Sequence, residues 1–262
     1  MIRALFTAAT GMNAQQTMVD TSSNNLANVN TTGFKRMIPQ FQDLIYLNAR
    51  TPGSIAQQGM PLPNGLQIGH GVAVSSNSKV FTSGTLNNTG NPYDVAIDGD
   101  GFFQVTMPNG LLYYTRAGNF SINNTGNLVT SDGFLINPQI SIPQNAMSVS
   151  IGTDGSVSVT SPGATAPTQV GQLTVVRFQN PAGLNNEGRN LYSQTLSSGS
   201  PIQTQPGQNG AGLIRQGFLE GSNVDVVGEM VNLILAQRAY EFNTKAITTA
   251  DQMLSFTTNL IR

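Results

Sequence analysis

The sequence predicts an α+β fold, with long helices at both ends paired as a coiled coil, an extended insert and a central antiparallel β domain. Three observations predict it. Apolar residues recur every seven positions near both ends, which returns them to nearly the same helix face. Short apolar runs alternate with Gly- and Asn-containing turns through the middle, as in antiparallel strands. Prolines and glycines fill the stretch between the first helix and this region.

The N-terminal helix is predicted over residues 2–30, a stretch without proline. Its apolar positions form a narrow seam at Leu5, Met12, Val19 and Leu26. Such a helix would be roughly 45 Å long, which is more than covering one domain core requires. Packing on a core remains the alternative use of the seam.

Asparagines crowd the end of this helix, at Asn24, Asn25 and Asn28. Asparagine is a mediocre helix former because its amide competes for backbone groups. These amides can bond to backbone carbonyls or to amides of an adjacent helix without adding charge. An exposed, frayed helix end is the alternative explanation. Gly33 can adopt the left-handed conformation that ends a helix, and Phe34 supplies an apolar anchor just after it.

The C-terminal helix is predicted from a second, longer seam. Its members are Val226, Leu233, Tyr240, Ile247, Leu254 and Ile261. Residues 222–225, Ser-Asn-Val-Asp, give a start signal, and Glu241 with Lys245 makes a favourable i,i+4 pair. Matched seams at both termini predict that the two ends meet, or that both face neighbouring subunits.

The segment 43–71 predicts an extended connector. Pro52, Pro61 and Pro63 break any helix, and the glycines and glutamines around them discourage a core. A connection this long without secondary structure is usually functional or disordered. The predicted domains are therefore a helical domain of 1–33 with 223–262, a connector of 34–69 containing the insert, and a β domain of 70–222.

The β domain is predicted from hairpin signals. Turns are expected at Pro108–Gly110, Asn124–Asn127 and Asp154–Gly155, each between apolar runs. Loops are expected at 160–168 and 197–212. Several short strands with close Gly or Asn turns predict an antiparallel sandwich or barrel.

Composition excludes several function classes. Charged residues make up only 10% of the chain, and the formal net charge is −1. Such a surface offers no electrostatic reason to bind nucleic acid or an anionic membrane, and it tolerates dense contact with copies of itself. No apolar run is long enough to be embedded in a membrane. With no cysteine and one histidine, His70, the common metal clusters are ruled out, and neither a catalytic residue nor a cofactor is predicted.

One enzymatic alternative stays open. Asp94, Asp98 and Asp100 lie close together and could form an acidic site, with aromatic residues nearby as a sugar platform. That platform would consist of Tyr93, Phe102 and Phe103. The chain would then be a β-rich carbohydrate-binding protein or enzyme of the cell envelope. A calcium loop is not predicted, because the further acidic ligands of an EF-hand are absent.

Several stretches resemble the axial rod and hook proteins of the bacterial flagellum. SNNLANVNTTGFKR at residues 23–36 is similar to the N-terminal signature of that family. QGFLEGSNVDVVGEMVNLILAQRAYEFNTKAITTADQML at 216–254 is similar to the C-terminal segment, and YDVAIDGDGFFQV at 93–105 to the central one. Within the family the chain is most similar to distal rod members, with proximal rod and hook proteins as the alternatives.

The resemblance implies a non-enzymatic subunit that stacks helically into a hollow shaft crossing the periplasm and transmits torque from motor to hook. It implies export through the flagellum's own channel without a cleaved signal peptide. The terminal helices would line the inner tube, with the β domain outside. Implied partners are other copies of the chain, the proximal rod proteins, the hook protein or its adaptor, and the surrounding periplasmic and outer-membrane rings.

Contacts between subunits are expected at the two seams, the asparagine cluster with its flanking glycine and phenylalanine, and the insert prolines. The residues are Leu5, Met12, Val19, Leu26, Asn24, Asn25, Asn28, Gly33, Phe34, Pro52, Pro61, Pro63, Leu233, Tyr240, Ile247, Leu254 and Ile261. We further expect the terminal helices to order on assembly and the insert at 46–68 to stiffen the shaft.

Overall fold

The structure is a computed structural model that describes residues 2–51, 64–163 and 166–260. Its α-helices are α1 (Ile2–Ala27) and α2 (Val226–Leu260). Its strands are β1 (Met37–Asp43), β2 (Leu47–Arg50), β3 (Leu66–Ile68), β4 (Val72–Lys79), β5 (Leu86–Asn88), β6 (Val95–Asp98), β7 (Phe103–Thr106), β8 (Leu112–Thr115), β9 (Phe120–Ile122), β10 (Leu128–Thr130), β11 (Leu135–Asn137), β12 (Ser148–Ile151), β13 (Ser156–Thr160), β14 (Thr168–Gln172), β15 (Val175–Arg177), β16 (Asn185–Gly188), β17 (Leu191–Ser193), β18 (Ile202–Thr204), β19 (Leu213–Gln216) and β20 (Phe218–Glu220). A single 3₁₀ turn over Pro181–Gly183 lies within the described part of the chain.

The chain divides into two compact units. The first, called the helical unit here, takes the described residues of Met1–Ala27, Met37–Ser78 and Asp225–Arg262. The second, the β unit, takes Asn28–Arg36 and the described residues of Lys79–Val224. The short segment after α1 therefore belongs to the β unit rather than to the helical unit, which contains both α1 before it and β1 after it.

Within the helical unit, α1 and α2 pack against each other in antiparallel fashion. The side chain of Asn25, near the end of α1, reaches Glu229 in the first turn of α2. Met12 lies farther back along α1, and its sulfur accepts a hydrogen bond from Thr244 at 3.6 Å. Small residues on both helices are buried and allow close approach, as Ala236 does at 2% exposure. The predicted packing of the two chain ends is confirmed.

Of the two local interactions predicted for α2, the N-terminal cap forms and the ion pair in the middle of the helix does not. Asp225 caps the helix, since its carboxylate accepts a hydrogen bond from Val227 N–H at 3.2 Å. The predicted pair of Glu241 with Lys245 is wrong, because Glu241 bonds instead to Arg238 at 2.8 Å, three residues before it. Both pairings suit a helix surface, and the guanidinium gives the more directional bond.

In the β unit, the pairings with a register in the described residues are antiparallel, and a seven-stranded sheet has the order β16-β17-β8-β7-β11-β10-β9. The predicted hairpin turns join β7 to β8, β9 to β10 and β12 to β13. The prediction of a loop throughout 197–212 is wrong in part, because β18 lies within it and pairs with β15. The central antiparallel β region is confirmed.

Two apolar clusters form the core of the β unit. The larger one joins the sheets around fully buried residues such as Ile97, Val105 and Ile136. The smaller one is aromatic, and its Phe102, Phe178 and Tyr192 rings meet edge to face at centroid distances of 5.7 and 5.9 Å. This aromatic cluster lies beside Arg116, whose guanidinium carbon is 5.6 Å from the centroid of the Phe102 ring.

Candidate functional site: the joined chain ends and the outer face of α2

A buried ion cluster joins the two ends of the β unit. Lys35, from the segment after α1, is fully buried, and its Nζ lies 2.6 Å from Glu220 Oε1 on β20. The second oxygen of Glu220 lies 3.4 Å from a guanidinium nitrogen of Arg116, which is also buried. Burial lowers the pKa of Lys35 and that of Arg116, and the carboxylate of Glu220 opposes both shifts.

Backbone groups add hydrogen bonds to this cluster. Lys35 Nζ donates to the carbonyl of Thr82 at 2.7 Å, and the N–H of Gly84 donates to Glu220 Oε1 at 2.9 Å. Arg116 donates to the carbonyl of Gly99 at 2.7 Å. Two buried cations thus share one carboxylate, and carbonyl oxygens accept further bonds from both cations, while Arg116 Nε and Glu220 Oε2 have no hydrogen-bond partner among the described residues. Such a cluster holds segments that are far apart in sequence in one register.

Two asparagines clamp consecutive backbone residues. Asn25 bonds to both the N–H and the carbonyl of Met37, at 2.9 and 2.8 Å, in the helical unit. In the β unit, Asn223 accepts from the N–H of Arg36 at 2.7 Å and donates to the carbonyl of Val80 at 2.8 Å. A primary amide suits this task because it pairs with both backbone groups and carries no charge.

The clamp on Met37 explains one asparagine of the asparagine-rich stretch, Asn25. Asn25 is buried at 1% exposure, so fraying does not describe it. Asn24 lies exposed on α1. Asn28 comes after the end of α1 and accepts a hydrogen bond from the hydroxyl of Thr31 at 3.1 Å.

Gly33 brings the backbone of this segment against a neighbouring turn. Its φ of 68° lies in the left-handed region, as predicted, although α1 ends six residues earlier, at Ala27. A Cβ on Gly33 would lie 2.8 Å from the backbone nitrogen of Ala117. Phe34 follows it and is buried. The glycine therefore serves close packing rather than ending the helix.

We expect Gly33→Ala to lower the free energy of unfolding by about 3 kcal/mol, at the upper end of the cost of a strained backbone conformation. The added methyl would meet backbone, which cannot move aside as a side chain can. Gly110→Ala is the matched control, since Gly110 has a φ of 81° and nothing within 4 Å of its Cβ position. Urea titration measures both variants, and equal losses would contradict the packing argument.

Most of the predicted seam residues lie at intermediate burial, and Val226 and Tyr240 are exposed. Leu5, Met12, Val19, Leu26, Leu233, Ile247 and Leu254 are half-buried, and Tyr240 is exposed. Pro52, Pro61, Pro63 and Ile261 lie outside the described residues. The role of this whole set in contacts between subunits stays a prediction.

A second apolar face on α2 is not part of the predicted seam. Its residues are Val227, Met230, Val231, Ile234, Leu235, Phe242, Met253 and Phe256, each between 49% and 70% exposed. At about 100° per residue they fall within an arc of about 140°, opposite the face that carries Ala236 and Leu254. We call this set the outer face. Val227 with Ile234 and Leu235 with Phe242 also lie seven apart, but sequence reasoning followed only the series through Leu233 and Tyr240 and so missed this face.

The acidic alternative of the sequence analysis fails on geometry. Phe102 and Phe103 are buried at 3% and 1% exposure, so they cannot form a sugar platform. Asp98 pairs with Arg215 at 2.8 Å, and Asp94 accepts hydrogen bonds from Thr89 and Asn91. Within residues 2–51, 64–163 and 166–260, no three metal-binding side chains come together.

Comparison with known proteins decides the family. Residues 5–35 match the "Flagella basal body rod protein" profile, and residues 215–260 match "Flagellar basal body rod FlgEFG protein C-terminal". Residues 96–159 match "Flagellar hook protein FlgE/F/G D1 domain". The chain is 49% identical to the flagellar basal-body rod protein FlgG of Buchnera aphidicola subsp. Schizaphis graminum, over 97% of this chain and 98% of that protein. The chain belongs to the flagellar basal-body rod protein family.

Relatives from distant bacteria agree with this assignment. FlgG of Borreliella burgdorferi is 46% identical and FlgG of Bacillus subtilis is 41% identical, each over the full length of both chains. The resemblance to distal rod members is confirmed, and so is the prediction of a structural component rather than an enzyme. In the part of the chain that the structure describes, neither helix is apolar enough over a sufficient length to cross a bilayer.

The matched regions contain the residues that the structure brings together. The N-terminal match contains Asn25, Gly33 and Lys35, and the C-terminal match contains Glu220 and Asn223. The residues missed by sequence reasoning are Lys35, Arg116, Glu220 and Asn223. A charged residue inside an apolar run, as in Phe218-Leu219-Glu220, is the signal that could have found one of them.

Proposed function

We propose that this chain assembles with copies of itself through the outer face of α2, building the distal rod as a helical shaft that transmits torque from motor to hook. The outer face carries this proposal. Eight large apolar side chains on one side of one helix remain exposed in the single chain. A patch of this kind marks an interaction surface, and the low charge of the chain removes the usual repulsion between copies.

The terminal helices would form the wall of an inner tube. In this arrangement 1–33 and 223–262 make a coiled-coil layer, 70–222 lies outside it and 34–69 connects them. The antiparallel packing of α1 on α2 supports the pairing, since each helix then keeps its other side for neighbours.

Location and partners follow from this role. The shaft would cross the periplasm, and its subunits would arrive through the flagellum's export channel without a cleaved signal. The ends of the shaft would meet proximal rod proteins on one side and the hook protein or its adaptor on the other. Periplasmic and outer-membrane rings would surround it.

Assembly is tested by concentrating the purified chain and imaging it by electron microscopy. We expect straight filaments of uniform width, formed above a critical concentration. A solution that stays monodisperse at every concentration, with the outer face still exposed to chemical labelling, would contradict the proposal.

We expect the terminal helices to order fully only on assembly. Ordering backbone costs roughly 1–2 kcal/mol per residue, and a single partner helix with small residues at the contact buries too little apolar area to offset it. Amide exchange of 2–30 and 224–260 in dilute monomer should therefore be fast compared with that of the β unit. Equal protection in both regions would refute this expectation.

The insert at 46–68 is proposed to stiffen the shaft. Its described flanks, β2 and β3, pair with each other, and the prolines between them would limit bending if clamped between neighbours. Deleting 46–68 should give filaments with a shorter persistence length in electron micrographs. Replacing Pro52, Pro61 and Pro63 with alanine is the milder companion variant. Filaments of unchanged stiffness after the deletion would end this proposal.

A further inference from the structure

The three lysines of this chain lie in three different settings. Lys35 is buried in the ion cluster with Glu220. Lys245 is exposed on α2, with its Nζ 5.9 Å from the ring centroid of Phe242. Lys79 is half-buried at the end of β4, and no carboxylate among the described residues lies within ion-pair distance of its amine. This makes Lys79 a partly buried cation without an anion.

The groups around Lys79 Nζ are neutral. The amine lies 4.5 Å from the ring centroid of Tyr192 on β17 and 6.0 Å from that of Phe34. It donates to the side-chain oxygen of Asn186 on β16 and lies 3.4 Å from the Tyr192 hydroxyl. The phenol is the titratable group that faces it, and burial raises the pKa of Tyr192 to about 12, so this group stays neutral near pH 8.

Such surroundings favour the neutral amine. Aromatic rings attract a cation, but they do not replace the hydration shell that burial removes. Burial is the cause that lowers the pKa of Lys79 to about 8. At pH 7.5 roughly a quarter of the Lys79 side chains then carry a free lone pair, against about one in a thousand for an ordinary lysine.

We propose that Lys79 is a modification site, at which the amine accepts acyl groups from acyl phosphates or thioesters in preference to the other two lysines. A desolvated lysine among neutral groups is an activated nucleophile. Lys79 keeps part of its surface in solvent, where a small donor can approach, whereas Lys35 is fully enclosed. This inference concerns the free chain and does not depend on assembly.

The reaction balances without an oxidant or reductant. The nitrogen lone pair attacks the carbonyl carbon of an acyl phosphate and forms the C–N bond. The C–O bond to phosphate then breaks, phosphate leaves with the electron pair, and the surplus proton on nitrogen passes to solvent. With a thioester the C–S bond breaks instead and a thiol is released.

Acylation removes the charge and keeps a hydrogen-bond donor. An acylated Lys79 keeps one N–H that can donate to Asn186, and it no longer carries a charge into a partly desolvated position. The attraction to the Tyr192 ring is lost together with the charge, and the desolvation that burial imposes on the ammonium is relieved. Modification would thus remove one positive charge from the β unit.

The test is competitive labelling of the full chain with limiting acetyl phosphate at pH 7.5. Mass spectrometry reads acetylation at each lysine, and the same chain unfolded in urea gives the reference rate for each position. After this normalisation we expect Lys79 to react at least about fivefold faster than Lys245, with Lys35 almost unmodified. A Lys79 rate equal to or below that of Lys245 would overturn the proposal.

The pH profile and one variant pair separate activation from mere accessibility. The rate at Lys79 in the folded chain should level off above about pH 8, whereas that at an ordinary lysine in the unfolded reference chain should keep rising to about pH 10. Asn186→Asp places a carboxylate beside the amine, which raises its pKa and should slow acetylation several-fold. Asn185→Asp, at the neighbouring exposed position, is the control and should leave the rate unchanged. Parallel pH profiles at Lys79 in the folded and the unfolded chain, or equal effects of the two variants, would count against the site.

Discussion

Replacing Glu220 with glutamine should lower the free energy of unfolding by about 3–5 kcal/mol, the cost of removing one partner from a buried ion pair. The variant keeps the size of the side chain and one acceptor oxygen, but it leaves Lys35 and Arg116 as buried cations without an anion. Equilibrium unfolding in urea, followed by fluorescence of the tyrosines in the β unit, measures the loss.

Two further variants make this result specific. Glu241→Gln removes a carboxylate from an exposed pair with Arg238, and it should cost less than about 0.5 kcal/mol. Adding Lys35→Met to Glu220→Gln removes one of the two unpaired cations, and it should recover part of the loss. If the free energy of unfolding of Glu220→Gln lies within about 1 kcal/mol of the wild-type value, the cluster does not hold the two ends of the β unit together.

The sequence was informative where the deciding interactions are local. The apolar repeats predicted α1 and α2, and turn residues such as Asn109-Gly110 predicted the hairpin of β7 and β8, because the periodicity and the backbone conformation belong to neighbouring residues. The left-handed conformation of Gly33 was predicted for the same reason. Each of these features can be read within a window of a few turns.

The candidate site was less predictable because its partners are remote. Lys35 and Glu220 are 185 positions apart, and the local sequence around either residue does not predict that they pair. The sequence around Asn223 predicts a helix start, whereas the side-chain amide of Asn223 reaches the backbone of Arg36, 187 positions away. Buried charges and clamping amides take their role from tertiary contact, which a single sequence does not encode as a pattern.

The outer face of α2 was predictable only in part from the sequence. Its residues are all visible in the sequence, but an apolar residue on a helix can face either a partner helix or solvent. Only the packing of α1 shows which side of α2 is already covered. A helix that is apolar on two opposite sides is suited to contact more than one neighbour, and this links the structure to assembly.

Leu235→Asp on the outer face should abolish filament formation at concentrations where the wild-type chain polymerises. Leu235 is 61% exposed in the single chain, so the substitution should change the unfolding free energy by less than about 0.5 kcal/mol. In a filament the same position would be buried, and a carboxylate there would lose hydration without gaining a partner. Light scattering across a concentration series measures the effect, and we expect the critical concentration to rise at least about tenfold, or about 1.4 kcal/mol per contact.

Leu196→Asp is the matched control, because it makes the same change at a fully exposed leucine of the β unit, at 104% exposure. If the outer face drives assembly, this variant should form filaments at close to the wild-type critical concentration, since its charge stays in water. Filament loss in both variants would mean that added charge alone prevents stacking. Normal filaments from Leu235→Asp would mean that the face stays exposed in the shaft, and the contacts would then have to come from the seams or the insert.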